Sequence, residues 1–263
     1  MKIGYISGVG NVRIENQDRF LVLQQKDKMG ELAFLCMVAD GMGGTGKGSF
    51  ASNFVQEKLK NWWSKVLPLL LLQENVYEYV SQSLNHLFTF CNKEIVKQAK
   101  ECGISTGTTI SLVFGYRDKV IIKHIGDTRI YLYREQTWIQ LTKDHSWQQK
   151  ELENGKNPKE DKEYDRKKNA LTNALGVKED FHTDNKMLQL KAEDVYLLCS
   201  DGFYEYINPY TKLQEVNEPQ QILFVKEKEL LQMSAKDNYT AVLFMIEQEE
   251  VIEMTELENT LFL

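Results

Sequence analysis

Paired thiols, long apolar runs and blocks of like charge are all missing from this sequence, and each absence removes a class of protein. Cys36, Cys91, Cys102 and Cys199 show no CxxC spacing, and two of them lie in apolar stretches. They read as reduced core residues, which excludes a disulfide framework and points to the cytoplasm. The longest aliphatic patch, Val66 to Leu72, carries Pro68 inside it and falls far short of the roughly 20 residues that span a bilayer. The first residues, MKIGYISGVG, have no continuous apolar core of a secretory signal. A net charge of -6, from 32 basic and 38 acidic residues, is spread along the chain, so neither nucleic acid nor a membrane surface is expected as a partner. No internal repeat is visible. What remains, 263 residues at 42% hydrophobic content, suffices for one large core. The expected organisation is a single domain over residues 1–247 and an acidic tail over 248–263.

The stretch that is present and most informative is Leu32 to Gly48, LAFLCMVADGMGGTGKG. An apolar run of this kind suits a strand buried on both faces, and it ends in Asp40 before breaking into glycines that permit close backbone approach. The pattern recurs. DVYLLCSD ends at Asp201, VIIKHIGD ends at Asp127, and Asp237 opens DNYTAVLFMI from the other end. One such Asp is an ordinary turn former. Four of them at the tips of buried strands repel one another and call for a cation.

Around these strands, residues 3 to 8 and 19 to 25 read as strands, and Ser49 to Lys65 and about Glu74 to Lys100 read as amphipathic helices. Beyond Gly107 short turns separate β-rich runs, which only antiparallel neighbours allow. His145 to Asn169 is charged and helical, broken at Gly155 and Pro158, and reads as an exposed flap. A strand near Lys186 to Leu190, a helix from about Pro219 to Ser234 and a last strand from Tyr239 to Glu247 follow. The fold class predicted is α+β, a four-layer α-β-β-α sandwich with two mainly antiparallel sheets flanked by helices.

Carboxylates without histidine or thiolate partners suit Mg²⁺ or Mn²⁺ and not zinc. The Gly41 carbonyl can add a neutral oxygen. Arg13 lies five residues before Asp18 in VRIENQD, so its guanidinium can meet an oxyanion beside the metal. Arginine next to a carboxylate-bound metal pair implies phosphate chemistry.

With these residues in place, the sequence resembles the PPM, or protein phosphatase 2C-like, family of metal-dependent Ser/Thr protein phosphatases, in its compact bacterial type. GNVRIENQD, VADGMGG, STGTT, IGDTRIYLY, LTKDHS, NALTNALG, SDG and KDN carry the resemblance, in order, from Gly4 to about Ile246. It implies that Asp40 bridges two Mn²⁺ or Mg²⁺ ions with the Gly41 carbonyl on one, and that Asp201 and Asp237 complete the other. It further implies that Asp18 holds metal-bound waters, that Arg13 binds the substrate phosphate, and that Asp127 with Asp201 forms a third-metal site. The activity implied is hydrolysis of phosphoserine or phosphothreonine in one step by a metal-bridging hydroxide. The partner implied is a phosphorylated protein produced by an opposing Ser/Thr kinase, and a monomeric enzyme is expected.

Two positions depart from the pattern. Gln17 stands where many members carry a metal-linked glutamate, and Met42 stands where animal members carry a histidine proposed as general acid. Thr108 and Asn238 belong to matching motifs without an assigned role. His86, His124 and His182 read as structural or solvated, without mutual spacing, and packing is the reading for His145. Two rival readings are a catalytically weak phosphoprotein-binding module on the same fold and a P-loop nucleotidase. The second comes from GMGGTGKG, where Lys47 mimics the P-loop lysine but Gly48 replaces the required hydroxyl.

Overall fold

The computed structural model describes residues 1–43, 48–213 and 217–247. The acidic tail, the glycine-rich residues 44–46 and Lys47 lie outside the described residues. In chain order the elements are β1 (Lys2–Gly8), β2 (Arg19–Lys26), β3 (Leu32–Ala39), β4 (Gly41–Gly43), α1 (Gly48–Lys65), α2 (Leu67–Leu70) and α3 (Val76–Cys102). The hairpin region gives β5 (Thr106–Thr108), β6 (Ile110–Tyr116), β7 (Lys119–Ile125), β8 (Arg129–Arg134) and β9 (Thr137–Gln140). The charged segment after it holds α4 (Trp147–Glu153), one 3-10 turn and α5 (Tyr164–Lys167), broken at Gly155 and Pro158 as its composition suggests. The chain closes with β10 (Asp184–Gln189), β11 (Val195–Cys199), α6 (Asp201–Tyr204), α7 (Pro209–Lys212), α8 (Pro219–Gln232) and β12 (Tyr239–Met245).

Two five-stranded sheets form, in the orders β1-β12-β11-β8-β9 and β10-β7-β6-β3-β2. Every pairing within them is antiparallel among the described residues. This removes the P-loop reading, which needs a parallel βαβ unit. The glycines after Asp40 also do more than turn: Gly41–Gly43 pairs antiparallel with Thr106–Thr108, Gly41 opposite Thr108.

The four layers follow from the period of two along each strand. In β3, Leu35, Met37 and Ala39 face a core shared with Leu59, Trp62, Leu84 and Phe88 of α1 and α3. The alternate residues Phe34, Cys36 and Val38 face the other sheet, where Tyr196, Leu198, Val242 and Phe244 meet them. Phe34 meets Phe244 edge-on at 5.4 Å, and Tyr196 stacks on Phe244 at 5.1 Å. On the far side, Leu197, Cys199, Ala241 and Leu243 pack against Leu223 and Leu230 of α8. The apolar runs are continuous because both faces of these strands are covered. Burying each large side chain contributes about 1.5–3 kcal/mol, so a shift of β3, and of the Asp40 at its end, would be opposed by several such terms. Helix α3 keeps Val76, Val80, Leu84, Phe88, Cys91, Ile95 and Ala99 on its buried stripe, and Gly103, at φ 61°, ends it in the left-handed conformation.

Candidate metal centre

Asp40 leaves β3 with its backbone fully engaged. Its N–H donates to Thr109 Oγ1 at 2.9 Å, and its carbonyl accepts from the Thr109 N–H at 2.9 Å and from Thr108 Oγ1 at 3.0 Å. Only the carboxylate is left for chemistry. Gly41 follows where a side chain cannot: a Cβ would stand 2.5 Å from both the Gln17 and Gly48 carbonyl oxygens. Asp201 begins α6 directly after β11, and Asp127 lies between β7 and β8. Asp237 sits in the turn before β12, where its Oδ1 accepts from the Asn238 N–H at 2.8 Å.

Arg13, Asp40, Gly41, Asp127, Asp201 and Asp237 line one cleft of about 390 Å³, together with Gln17, Met42 and Thr109. Asp18 is not on its wall. It lies behind, 2% exposed, with Oδ2 accepting from Ser200 Oγ at 2.7 Å. Arg13 stands exposed at the edge of the cleft, and its Nε and Nη2 grip the two oxygens of Asp237 at 2.7 and 2.6 Å.

The electrostatics test whether these residues suit a cation. Burial, and then the charges of Asp18, Asp201, Asp127 and Asp237, hold Asp40 well above the ordinary carboxylate value. Burial followed by Asp127, Asp18 and Asp237 does the same to Asp201. Asp18 is pushed up to about 6 by burial, against the opposing Ser200 hydrogen bond, and Asp127 to about 7 by burial and then by Asp144. Asp18 Oδ1 is buried with no hydrogen-bond partner among the described residues. Carboxylates that share one cleft and are raised by burial and by one another, beside an orphaned buried oxygen, are a poor resting state for a protein alone and a good one for a hard divalent cation.

Several positioning residues carry no visible signal beyond their motif letters. Asn238 accepts from the Gln17 N–H at 2.9 Å and donates to the Glu15 carbonyl at 2.9 Å, tying the loop that bears Arg13 and Asp18 to the turn that bears Asp237. Arg129 forks onto Asp144 at 2.9 and 2.7 Å and lies 3.7 Å over the Tyr204 ring, bracing the Asp127 side.

Three of the histidines meet in the fold. The His124 and His145 rings meet tilted with centroids 4.8 Å apart, and those of His145 and His182 at 4.4 Å, although nothing in their spacing suggests contact. Ligand atoms of His145, His182 and Asp184 lie within 4.8 Å of one another. They do not form a second metal site. His145 Nδ1 accepts the Gly126 N–H at 3.0 Å, and burial holds the ring below its ordinary pKa, so the neutral ring carries its proton on Nε2, the atom a metal would need bare. That Nε2 faces Asp184 Oδ2 at 3.3 Å instead.

Comparison with known proteins agrees with this geometry. The protein phosphatase 2C family model matches residues 11–244. A serine/threonine phosphatase stp of Listeria innocua is 31% identical over 240 residues, covering 89% of this chain and 91% of that one. The serine/threonine phosphatase PstP of Mycobacterium tuberculosis superposes with a TM-score of 0.77 at 26% identity, over 94% of this chain and 100% of that one. The catalytic domain of a PstP in complex with two manganese ions has the same fold, with a TM-score of 0.76 at 24% identity over 94% and 98% of the two chains. With its strand-end aspartates gathered in one cleft and its motifs matched over nearly the whole described fold, the chain belongs to the protein phosphatase 2C family.

Proposed function

We propose that the cleft is the active centre of a metal-dependent serine/threonine protein phosphatase. The observation that carries this reading is the cluster of Asp40, Asp127, Asp201 and Asp237 on one cleft with a guanidinium, Arg13, at its edge. Asp40 with the Gly41 carbonyl, and Asp201 with Asp237, would hold two Mn²⁺ or Mg²⁺ ions, and Asp127 with Asp201 a third. When bound, such ions neutralise phosphoryl charge and lower the pKa of water. The chain's own contribution is placement. β3, β11 and β12 fix the carboxylates, buried Asp18 supports them from behind, and Arg13 orients the phosphate of a phosphoserine or phosphothreonine through its planar fork.

Met42 lines the cleft with a thioether that has no proton to give, so it is not the group that protonates the departing alkoxide. The substrate is a phosphoprotein made by a Ser/Thr kinase. The proposed enzyme is a monomer. Its free cysteines, three of them buried, suit a reducing compartment such as the cytoplasm. No described helix is long and apolar enough to cross a membrane.

Hydrolysis of a phosphothreonine peptide in Mn²⁺, lost on chelation, is the expected result. Metal-dependent binding of that peptide without turnover would identify the non-catalytic module instead.

Metal uptake should also release protons, because ligating carboxylates must be ionised. Asp18 near 6 and Asp127 near 7 keep part of their protons at pH 6 and have lost them by pH 8. Calorimetric titration with Mn²⁺ in buffers of different ionisation enthalpy should therefore show more protons released at pH 6 than at pH 8, with apparent affinity rising between. Equal release at both pH values would contradict the site's electrostatics.

A further inference from the structure

Asp18 is held from two directions by one residue of the opposite sheet. Its backbone N–H donates to Asn16 Oδ1 at 3.0 Å, Asn16 Nδ2 donates to Ser7 Oγ at 2.9 Å, and Ser7 Oγ meets Thr240 Oγ1 at 2.8 Å. From the other side the Thr240 N–H donates to Ser200 Oγ at 2.9 Å. That backbone donor settles the direction of the hydroxyl: Ser200 accepts from Thr240 and sends its own proton to Asp18 Oδ2, at 2.7 Å. Ser200 and Thr240 are both fully buried, so no water competes for these bonds. The hydroxyl occupies one carboxylate oxygen and leaves Oδ1, the orphaned one, as the atom without a partner among the described residues.

We infer that Ser200 is a positioning residue for the metal centre, one that fixes the orientation in which Asp18 presents its second oxygen to the ions or their waters. The inference rests on the phosphatase reading above and deepens it. Ser200 immediately precedes Asp201, and Thr240 follows Asp237 by three residues. The same short links therefore couple the Asp18 carboxylate to two of the expected ligands. The two oxygens of a carboxylate are equivalent, so what the Ser200 bond fixes is the plane of the group: a carboxylate turned out of that plane would lose Ser200 and carry its second oxygen away from the metals.

Outer residues that orient metal ligands typically set affinity by roughly ten- to hundredfold. Ser200→Ala removes the hydroxyl, and Ser200→Cys keeps nearly its volume while offering only a weak donor. Both are expected to raise the Mn²⁺ dissociation constant, measured by calorimetry on the whole chain, by roughly ten- to hundredfold for alanine and by less for cysteine. Turnover lost at low Mn²⁺ should return as Mn²⁺ is raised, a recovery that a merely misfolded variant would not make. Circular dichroism selects the folded variants, and the cysteine variant carries the test if alanine does not fold. Unchanged Mn²⁺ affinity in either folded variant overturns the role of Ser200 and leaves the phosphatase reading standing. Failure of the parent protein to bind Mn²⁺ would overturn that reading and this inference together.

Discussion

Asp201→Asn is expected to lower metal-dependent turnover by on the order of a thousandfold or more while the chain keeps its fold. The substitution is nearly isosteric, and what ties Asp201 into α6, the Glu205 N–H on its carbonyl at 3.0 Å, is backbone and survives. What changes is charge. Asp201 is raised by burial and then by Asp127, Asp18 and Asp237, so removing its charge relieves repulsion among the remaining carboxylates. The metal-free variant should therefore melt at or above the parent temperature, whereas the upward shift that Mn²⁺ produces should shrink. A variant damaged in folding would instead lose stability both with and without metal. Thermal melts in chelator and in Mn²⁺, beside kinetics on a phosphothreonine peptide, read all of this directly. Full turnover in the variant would remove Asp201 from the ligand set.

The parts of this molecule legible in the sequence were those written in a local pattern. The run Ala33 to Ala39 is buried on both faces, so its continuous hydrophobicity announced a central strand and placed Asp40 at its tip. The same holds for Val195 to Cys199 before Asp201 and for Tyr239 to Phe244 after Asp237. The side-chain frame behind them left no such trace. Ser200 reaches Asp18 across 182 positions, and Arg13 reaches Asp237 across 224. Nothing periodic connects such residues, and a serine before an aspartate looks the same whether it faces solvent or a carboxylate. The contact among His124, His145 and His182 is illegible for the same reason, since one strand and two loops distant in sequence bring the rings together. The glycines after Asp40 signal close backbone approach, and at Gly41 the Gln17 and Gly48 carbonyl oxygens do exclude a side chain; the pairing of Gly41–Gly43 with Thr106–Thr108 has no such local signal.

Arg13→Ala carries the second large effect, and its size follows from what Arg13 now holds. Its fork closes on Asp237 with both side chains about half exposed, 56% and 42%. Ion pairs this exposed are worth about 0–1 kcal/mol. A charge-assisted contact to a phosphate oxygen contributes about 1.5–3 kcal/mol, so a bound phosphate wins the guanidinium from Asp237, and the exchange frees that carboxylate for a metal. Arginine and metal thus need not compete once substrate is present. Removing the side chain should lower kcat/KM on phosphopeptides by roughly ten- to hundredfold, the kinetic equivalent of that contact. The metal response should move the other way: with Asp237 released from its fork in the resting protein, Mn²⁺ should bind the variant at least as tightly as the parent. Arg13→Lys separates charge from geometry, because a lysine keeps the positive charge but cannot fork, and should recover only part of the loss. Steady-state kinetics on a phosphothreonine peptide and Mn²⁺ calorimetry on the three proteins decide the matter. Parental kcat/KM in Arg13→Ala, or a loss of Mn²⁺ affinity matching the loss of activity, would show that Arg13 serves Asp237 and not the phosphate.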